Sequence, residues 1–371
     1  METHGSLRHL PLEEEHRRQG ARMQPFAGWL MPFQYQGILE EHRAVRTRSG
    51  VFDVSHMGRF FITGPDAAAF LRSVLTYNVA RLETGGAHYA LLCNEAGGIL
   101  DDVFLYRQGE QRYMLVVNAA RAAQDLRWLQ DHLPPGADVR LEDRTDRTVM
   151  LALQGPGAAH HVSALLSPAI PARLPARALT EIELYGYKAV VARTGYTGED
   201  GFEFVCAPQA GHAFWDRLMQ LGVQPCGLGA RDSLRLEAAL PLYGNDIDET
   251  VNPYEAGLGW TVDLEDGAPF VGREALARAK AEGPRRRLAC LRGPGGRAAV
   301  PRHGYPILHN GRPVGTVTSG GYSPTLDTVI AMGYVPPELA APGTELAVDV
   351  RGRPLAMTVV KRPFYRAGRP G

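Results

Sequence analysis

The sequence lacks paired cysteines and long apolar runs. Cys93, Cys206, Cys226 and Cys290 are scattered, with no Cys-x-x-Cys pair and no Cys/His cluster at zinc spacing. This pattern argues against a disulfide framework and a metal site, and it favours a reducing compartment. No segment approaches the length that spans a bilayer, and residues 1–9 contain no apolar stretch of signal-peptide length. We therefore expect a soluble, cytoplasmic protein without a metal ion.

An excess of one charge is also missing. Lys plus Arg and Asp plus Glu both number 40, and the sequence pI is about 7.2. Such a balance argues against nucleic acid or a membrane surface as the main partner. The 371 residues, 44% of them hydrophobic, exceed what one core usually supports, so we expect two or three globular domains.

The most informative segment places two aspartates in an apolar strand pattern. Apolar runs flank Asn94-Glu-Ala-Gly-Gly98, which predicts a hairpin. Side chains alternate along a strand, so Asp101 and Asp102 fall on opposite faces, and Asp102 shares its face with Phe104 and Tyr106. One carboxylate must then lie with core residues, at a cost that indicates either a functional site or an Asp that binds the N–H groups of the turn.

Two further charged residues interrupt apolar patterns. Glu203 lies between Phe202 and Phe204, where a carboxylate could accept parallel N–H bonds from a pterin or guanine edge, or could point outward from a half-buried strand. Arg231 follows the glycine-rich start of a helix, where it could anchor a carboxylate ligand. An ordinary ion pair of Arg231 with Asp232 or Glu237 is the alternative.

Two other motifs do not support a site. Gln154-Gly-Pro-Gly-Ala-Ala-His160 lies at a strand-to-helix turn, but its glycine spacing fails for a dinucleotide fingerprint, so we interpret it as a packed turn. His56 follows Ser55 without a third partner evident in sequence, and no Gly-x-Ser-x-Gly motif occurs. We assign His56 to structure.

Strand-like and helix-like segments interleave irregularly, which predicts an α+β fold. We expect a helix over residues 37–48 that ends at a Gly50 cap, then one strand over residues 51–63. After Arg285-Arg-Arg287 the sequence pattern changes to short strand-like segments separated by Gly and Pro, which indicates a small β-barrel or sandwich. The predicted domains are therefore residues 1–280 and 285–371.

Several ordered motifs carry a resemblance that covers nearly the whole chain. They are Pro25-Phe-Ala-Gly-Trp-Leu-Met-Pro32, Gly50-Val-Phe-Asp-Val-Ser-His-Met-Gly58, Asn94-Glu-Ala-Gly-Gly-Ile-Leu-Asp-Asp102, Gly195-Tyr-Thr-Gly-Glu-Asp-Gly201, Gly229-Ala-Arg-Asp-Ser-Leu-Arg-Leu-Glu-Ala238 and Asn252-Pro-Tyr-Glu-Ala-Gly-Leu-Gly-Trp260. Together they resemble the T-protein (aminomethyltransferase) family of the glycine cleavage system.

The resemblance implies a three-domain cloverleaf, with a folate-binding N-terminal region of two subdomains, a C-terminal β-barrel, and tetrahydrofolate in a central hole. It implies transfer of the methylene of an aminomethyl group on lipoylated H-protein to tetrahydrofolate, with release of ammonia. The expected form is a monomer. Asp102 is implied as the catalytic carboxylate and Glu203 as the residue that grips the pterin edge. The other cofactor-binding positions implied by the resemblance are Met57, Tyr89, Val116, Asn118, Tyr196, Arg231, Trp260 and Arg287. Val116 and Asn118 are expected to share one face of a strand, which supports their assignment.

Related folate-binding proteins give the alternatives. An iron–sulfur maintenance protein of the same architecture carries a Lys-Gly-Cys-Tyr type signature where this chain has Arg193-Thr-Gly-Tyr-Thr-Gly198, so that hypothesis has little support. A folate-dependent demethylase, or a folate module acting on methylated amines, remains an alternative because the fold alone does not fix the donor. The residues 285–287 could contact a folate tail or a protein partner, and the sequence does not separate the two.

Overall fold

The computed structural model describes residues 6–296 and 299–368. Within these ranges the strands are β1 (Arg8–His9), β2 (Arg22–Phe26), β3 (Trp29–Gln34), β4 (Gly50–Asp53), β5 (Gly58–Thr63), β6 (Ala87–Cys93), β7 (Ile99–Gly109), β8 (Arg112–Val117), β9 (Arg140–Asp143), β10 (Val149–Gln154), β11 (Leu179–Leu184), β12 (Tyr187–Ala192), β13 (Gly201–Cys206), β14 (Gln224–Pro225), β15 (Arg287–Gly295), β16 (Pro306–His309), β17 (Arg312–Ser323), β18 (Thr328–Val335), β19 (Glu345–Val350) and β20 (Arg353–Val360). The α-helices are α1 (Glu13–Arg18), α2 (Ile38–Thr47), α3 (Ala67–Val74), α4 (Ala122–Asp131), α5 (Ala158–Leu165), α6 (Ala169–Arg173), α7 (Pro208–Gln220), α8 (Leu228–Glu237) and α9 (Arg273–Glu282).

The strands form three open sheets and one closed barrel in the described ranges. A three-stranded sheet has the order β1-β3-β2, a six-stranded sheet the order β11-β12-β13-β10-β4-β14, and a five-stranded sheet the order β6-β7-β8-β5-β9. The barrel closes in the order β15-β18-β17-β16-β19-β20. The predicted α+β class and the predicted C-terminal barrel are therefore confirmed, and closure rules out the sandwich.

The chain divides into two compact units that exchange segments along the sequence. The first unit runs to Ala67 and then takes Leu82–His88 and Phe104–Asp232. The second takes Ala68–Arg81, Tyr89–Val103 and the chain from Ser233 onward. Strand β7 therefore passes from the second unit to the first after Val103.

Each unit has an apolar core of its own. In the first unit, Phe202, Phe204, Phe214 and Trp215 are completely buried between the six-stranded sheet and helix α7. In the second, the barrel interior is filled by Leu291, Ile307, Val317, Val329, Ala331 and Val348. Branched side chains that alternate inward along short strands explain both the barrel and the regular spacing of the turns that join it.

Two local predictions were wrong. The helix expected to end at a Gly50 cap is α2, which ends at Thr47, and Gly50 is instead the first residue of β4. Residues 51–63 do not form one strand, because the chain turns at Ser55-His-Met57 and β5 joins a different sheet. The expected hairpin at residues 94–98 is confirmed, since it joins the neighbouring strands β6 and β7.

Candidate active site

The two aspartates of β7 point to opposite faces of the strand, as the alternation of side chains requires. Asp101 is completely buried and shares its face with buried Val103, whereas Asp102 is half-buried on the opposite face. The core-side carboxylate is therefore Asp101, and Asp102 is the one that a ligand can reach. Within the turn, Asn94 Oδ1 accepts from Gly98 N at 2.9 Å, and Asn94 O accepts from Gly97 N at 2.9 Å.

Asp102 contacts Tyr89, which in turn contacts Trp260, and all three residues belong to the second unit. The Tyr89 hydroxyl on β6 donates to Asp102 Oδ2 at 2.9 Å. The Tyr89 ring stacks on Trp260, with centroids 5.9 Å apart and planes 24° apart, and Trp260 is 56% exposed. A hydroxyl donor fixes the carboxylate while the exposed indole offers a flat apolar surface, so the group combines an oriented anion with a stacking platform. The structure thus brings together three of the residues that the resemblance named.

Glu203 of the first unit is buried, which removes the alternative of an outward-pointing Glu. Strand β13 is buried along its whole length, and Glu203 is 9% exposed. Its two neighbours across the sheet are Ala152 on β10 and Ala192 on β12. Because directly opposite residues share a face, these small side chains leave the carboxylate uncrowded on its face of the sheet.

Two hydroxyl groups hold one oxygen of Glu203. Thr194 Oγ1 donates to Oε2 at 2.5 Å, and the Tyr106 hydroxyl donates to the same oxygen at 3.2 Å. Burial and the Glu203 charge raise the pKa of Tyr106 well above its usual value, so Tyr106 stays a donor. Among the residues that the structure describes, the hydrogen bonds of this carboxylate reach Oε2 alone, so Oε1 can accept an N–H group of a ligand.

Arg231 lies near the Glu203 carboxylate and does not form the expected surface ion pair with Glu237. Its guanidinium carbon lies 4.8 Å from the centroid of the Tyr196 ring. Burial lowers the pKa of Arg231, and the negative charge of Glu203 opposes that shift. Glu237, one expected partner, instead accepts hydrogen bonds from Ser323 and Thr325. Arg231 and Tyr196, both named by the resemblance, therefore form a cation–π pair.

Gln154 holds the loop that carries Tyr196. Its Nε2 donates to Thr194 O at 3.0 Å, and its Oε1 accepts from Thr197 Oγ1 at 2.9 Å. A Cβ at Gly195 would lie 2.0 Å from Gln154 Oε1, so only glycine allows this approach. The Gln154 motif is thus a packed turn, as predicted, and its first residue positions the Tyr196 loop.

Arg46 holds the same loop from helix α2. Its Nη1 donates to Thr197 O at 2.7 Å and to Glu199 Oε1 at 2.9 Å. Both side chains of the Arg46–Glu199 pair are 5% exposed. A buried pair that also bonds the backbone fixes loop geometry more than it adds net stability.

Of the remaining predicted positions, two lie on strands and two lie in the segments between strands. Met57 is half-buried in the turn before β5, and Val116 is buried on β8. Asn118 is half-buried just past the end of β8 at Val117, so the expectation that it shares a strand face with Val116 was wrong. Arg287 is exposed at the start of β15. Its neighbour Arg286 donates to Thr250 O at 2.8 Å and lines a cleft of about 450 Å³ in the second unit.

Sequence reasoning missed Glu41, which fixes the start of helix α8. This completely buried carboxylate accepts from Tyr35 N at 2.6 Å, Gly37 N at 3.1 Å and Gly227 N at 2.8 Å. The signal was weak, because Glu41 lies within an ordinary charged helix pattern. By binding Gly227, Glu41 fixes the backbone four residues before Arg231.

Residues 6–296 and 299–368 contain neither a membrane-spanning helix nor a metal-binding cluster. None of the helices there has both the length and the hydrophobicity that a membrane span needs. No group of three or more His, Cys, Asp or Glu side chains there is arranged to hold a metal ion.

The sequence matches two family models in tandem. Residues 12–266 match the GCVT N-terminal domain, and residues 286–366 match the Glycine cleavage T-protein C-terminal barrel domain. The second match covers the closed barrel described above. Fold and matches together define the class: a two-region protein with a GCVT N-terminal part and a T-protein barrel.

Full-length relatives support the same conclusion. A protein of Prochlorococcus marinus (strain MIT 9313), named Aminomethyltransferase, is 47% identical over 97% of this chain and 98% of its own length. An Aminomethyltransferase of Geobacillus kaustophilus (strain HTA426) is 45% identical over 97% of this chain and 99% of its own. The crystal structure of the glycine cleavage system aminomethyltransferase T from Bartonella henselae superposes with a TM-score of 0.90, at 38% identity, over 98% of this chain and 99% of that one. The chain belongs to the glycine cleavage T-protein family, and the predicted resemblance is confirmed.

Proposed function

We propose that this chain is an aminomethyltransferase that moves the methylene of an aminomethyl group, carried on the lipoyl arm of H-protein, to tetrahydrofolate. The products are 5,10-methylenetetrahydrofolate, ammonia and the dihydrolipoyl arm. The names of full-length relatives at 45–47% identity support the reaction class. The observation that carries the proposal is Asp102, a half-buried carboxylate oriented by the Tyr89 hydroxyl.

Asp102 is the proposed catalytic carboxylate. Loss of ammonia from an aminomethyl group leaves an electrophilic, cationic carbon, and the nitrogens of tetrahydrofolate supply the nucleophile. An ionised carboxylate held in place stabilises positive charge that develops in the transition state and orients an amine N–H. The Tyr89 bond at 2.9 Å keeps Oδ2 fixed, so little reorganisation is needed during the reaction.

Glu203, Tyr196 and Arg231 are proposed to bind the folate. A reduced pterin presents adjacent N–H donors, which suit a buried carboxylate whose Oε1 can still accept. Arg231 and the Tyr196 ring add a cation and a flat surface that suit a planar heteroaromatic ligand with carboxylates. The donor and acceptor set of these residues therefore fits a reduced folate.

Met57, Val116, Asn118, Trp260 and Arg287 complete the proposed folate-binding residues. Their support is the family resemblance together with the local settings described above. The exposure of Trp260 beside Tyr89 favours a stacking role. The domain bounds 1–280 and 285–371 are part of the proposal, supported by the matched regions 12–266 and 286–366. Monomeric state and cytoplasmic location are expectations of the same proposal.

A single-turnover experiment tests the function. Aminomethyl-loaded H-protein is mixed with the enzyme, with and without tetrahydrofolate, and methylenetetrahydrofolate and ammonia are followed in parallel. Coupled release that depends on folate is the expected result. Folate binding without either product would contradict the proposed donor and would favour a methylated amine instead.

A further inference from the structure

Thr194 connects the Glu203 carboxylate with the side chain that holds the Tyr196 loop. Its hydroxyl donates to Glu203 Oε2 at 2.5 Å, and its carbonyl accepts from Gln154 Nε2 at 3.0 Å. Thr194 is buried, so little water competes for either bond. Gln154, Thr194 and Glu203 therefore form a continuous line of hydrogen bonds within the first unit.

The Gln154 amide is enclosed by two glycines, one at each end of the loop. A Cβ at Gly195 would lie 2.0 Å from Gln154 Oε1, and a Cβ at Gly201 would lie 2.4 Å from Nε2. Gln154 is completely buried, and its Oε1 also accepts from Thr197 Oγ1 at 2.9 Å. Because the packed amide has little room to rotate, it holds the carbonyl of Thr194 at a fixed point.

The register of the six-stranded sheet places Gln154 on the same face as Glu203. Gln154 on β10 pairs with Gly201 on β13, and Ala152 on β10 pairs with Glu203. Residues two apart along a strand share a face, so the amide and the carboxylate are diagonal neighbours across the two strands. Gly201 places no side chain between them, and Thr194 bonds to both.

The Thr194 bond decides which oxygen of Glu203 a ligand can use. Oε2 accepts from Thr194 and, at 3.2 Å, from the Tyr106 hydroxyl, so both of its lone-pair sites are occupied. Oε1 accepts no hydrogen bond from residues 6–296 and 299–368, and it is not one of the fully enclosed polar atoms there, so a ligand can reach it. The terminal torsion of a Glu side chain has broad energy wells, so the hydroxyl bonds to Oε2 are what fix the plane of the carboxylate.

We propose that Thr194 is a positioning residue for folate binding: its hydroxyl fixes Oε2 of Glu203 so that Oε1 faces an N–H group of the reduced pterin. Gln154 supports this role by holding the carbonyl of Thr194. An acceptor that is already oriented loses less conformational entropy on binding than one that must be ordered by the ligand. The inference rests on the proposed function, and Thr194 acts through the carboxylate without touching the ligand.

The test titrates full-length variants with 5-formyltetrahydrofolate, a stable reduced folate, in a calorimeter. Thr194→Val keeps the shape of the side chain and Thr194→Ala truncates it, and both remove the hydroxyl, so each should raise the folate Kd about tenfold. Thr194→Ser keeps the hydroxyl and should stay within about threefold of wild type. Equal Kd values for wild type and the two variants without the hydroxyl would overturn the inference.

Thr180→Val is the matched control for the loss of a threonine hydroxyl. Thr180 lies on β11 of the same sheet, and its hydroxyl donates to the carbonyl of Glu181. The control should therefore leave the folate Kd unchanged. A tenfold rise in the control would overturn the inference, because the effect would then not be specific to the bond with Glu203.

A double-variant cycle distinguishes positioning of the carboxylate from a general structural role. In Glu203→Ala there is no carboxylate to orient, so adding Thr194→Val should change the folate Kd by less than about twofold. A further tenfold rise in that background would overturn the inference, because Thr194 would then act through another group. At saturating tetrahydrofolate, Thr194→Val should transfer the methylene within about threefold of the wild-type rate, since only binding is weakened.

The failure of the inference and the failure of the proposed function give different results. A wild-type protein that binds no reduced folate would overturn the proposed function and the inference together. A wild-type protein that binds folate, with a Thr194→Val variant that binds it equally well, would overturn the inference alone.

Discussion

Replacement of Glu203 distinguishes whether its carboxylate binds folate or only stabilises the fold. Glu203→Ala removes the acceptor of the Thr194 and Tyr106 hydroxyl groups. These two hydroxyls lie 3.2 Å apart and can bond each other once the carboxylate is gone. The loss of folding stability should therefore stay within about 1–3 kcal/mol, the usual cost of disturbed buried hydrogen bonds.

The effect on folate should be larger. Loss of one partner of a buried, charge-assisted hydrogen bond costs about 2–5 kcal/mol of binding free energy. At about 1.4 kcal/mol per tenfold, the folate Kd of Glu203→Ala should rise roughly 30-fold to several thousandfold. Glu203→Gln keeps the shape of the side chain and one acceptor oxygen. Its folate Kd should therefore lie between those of Glu203→Ala and wild type.

Calorimetric titration with tetrahydrofolate measures these affinities, and thermal unfolding of the same samples measures stability. Glu183→Ala is the matched control, because Glu183 lies on β11 of the same sheet but is exposed. It should leave the folate Kd unchanged. A Glu203→Ala protein that binds folate like wild type would refute the reasoning, as would an equal loss in the control.

Three further predictions follow from the geometry. Tyr89→Phe keeps the ring but loses the donor to Asp102, so kcat should fall about 5- to 30-fold in steady-state assays; an unchanged kcat would remove Tyr89 from catalysis. Gly195→Ala should lower the free energy of unfolding by about 1–3 kcal/mol because the new Cβ clashes with Gln154. In thermal unfolding, the double variant Gly195→Ala/Gln154→Ala should lose less stability than the sum of the two single losses. Strict additivity would contradict the clash. Because burial lowers the folded-state pKa of His56 to about 3, the unfolded chain binds the extra proton first, and stability is lost as pH falls from about 6.5 towards 3. By pH 5 this loss should reach about 2 kcal/mol, and His56→Phe should lack it in denaturant titrations; equal pH slopes would contradict the assigned shift.

The parts of the site that sequence could predict depend on short-range patterns. Alternation along β7 placed Asp101 and Asp102 on opposite faces before any coordinates, and the Phe202-Glu203-Phe204 pattern located a carboxylate in a core strand. Each inference needed only neighbours in sequence. The same is true of the hairpin at residues 94–98, which the two glycines between apolar runs predict.

The parts that sequence could not predict depend on distant partners. Residues 51–63 resemble one strand, and the break at His56 follows from the contacts of Arg59 and Ser55 with residues about 90 positions away. Gln154 reaches a carbonyl 40 residues away. Glu41 reaches Gly227, 186 residues away. A buried hydrogen bond of this kind leaves no periodic signal, so the supporting residues of a site emerge only from the structure.

The resemblance supplied the roles, and the structure supplied their physical setting. Tyr89 donates to Asp102 and stacks on Trp260, and Glu203 is buried with its Oε1 still able to accept. Asn118 was predicted to lie on a strand face that in fact ends at Val117. Motif matching therefore names candidate residues, whereas the local backbone that presents them emerges only from the structure.

The most direct test of the central claim compares wild type and Asp102→Asn in the single-turnover assay with aminomethyl-loaded H-protein. Asparagine keeps the shape of the side chain and removes its charge, so folate affinity should change little while methylene transfer slows by orders of magnitude, about 10²-fold or more. Ammonia release should slow in parallel. Transfer at nearly the wild-type rate by Asp102→Asn, with folate bound, would contradict the assignment of Asp102 as the catalytic carboxylate.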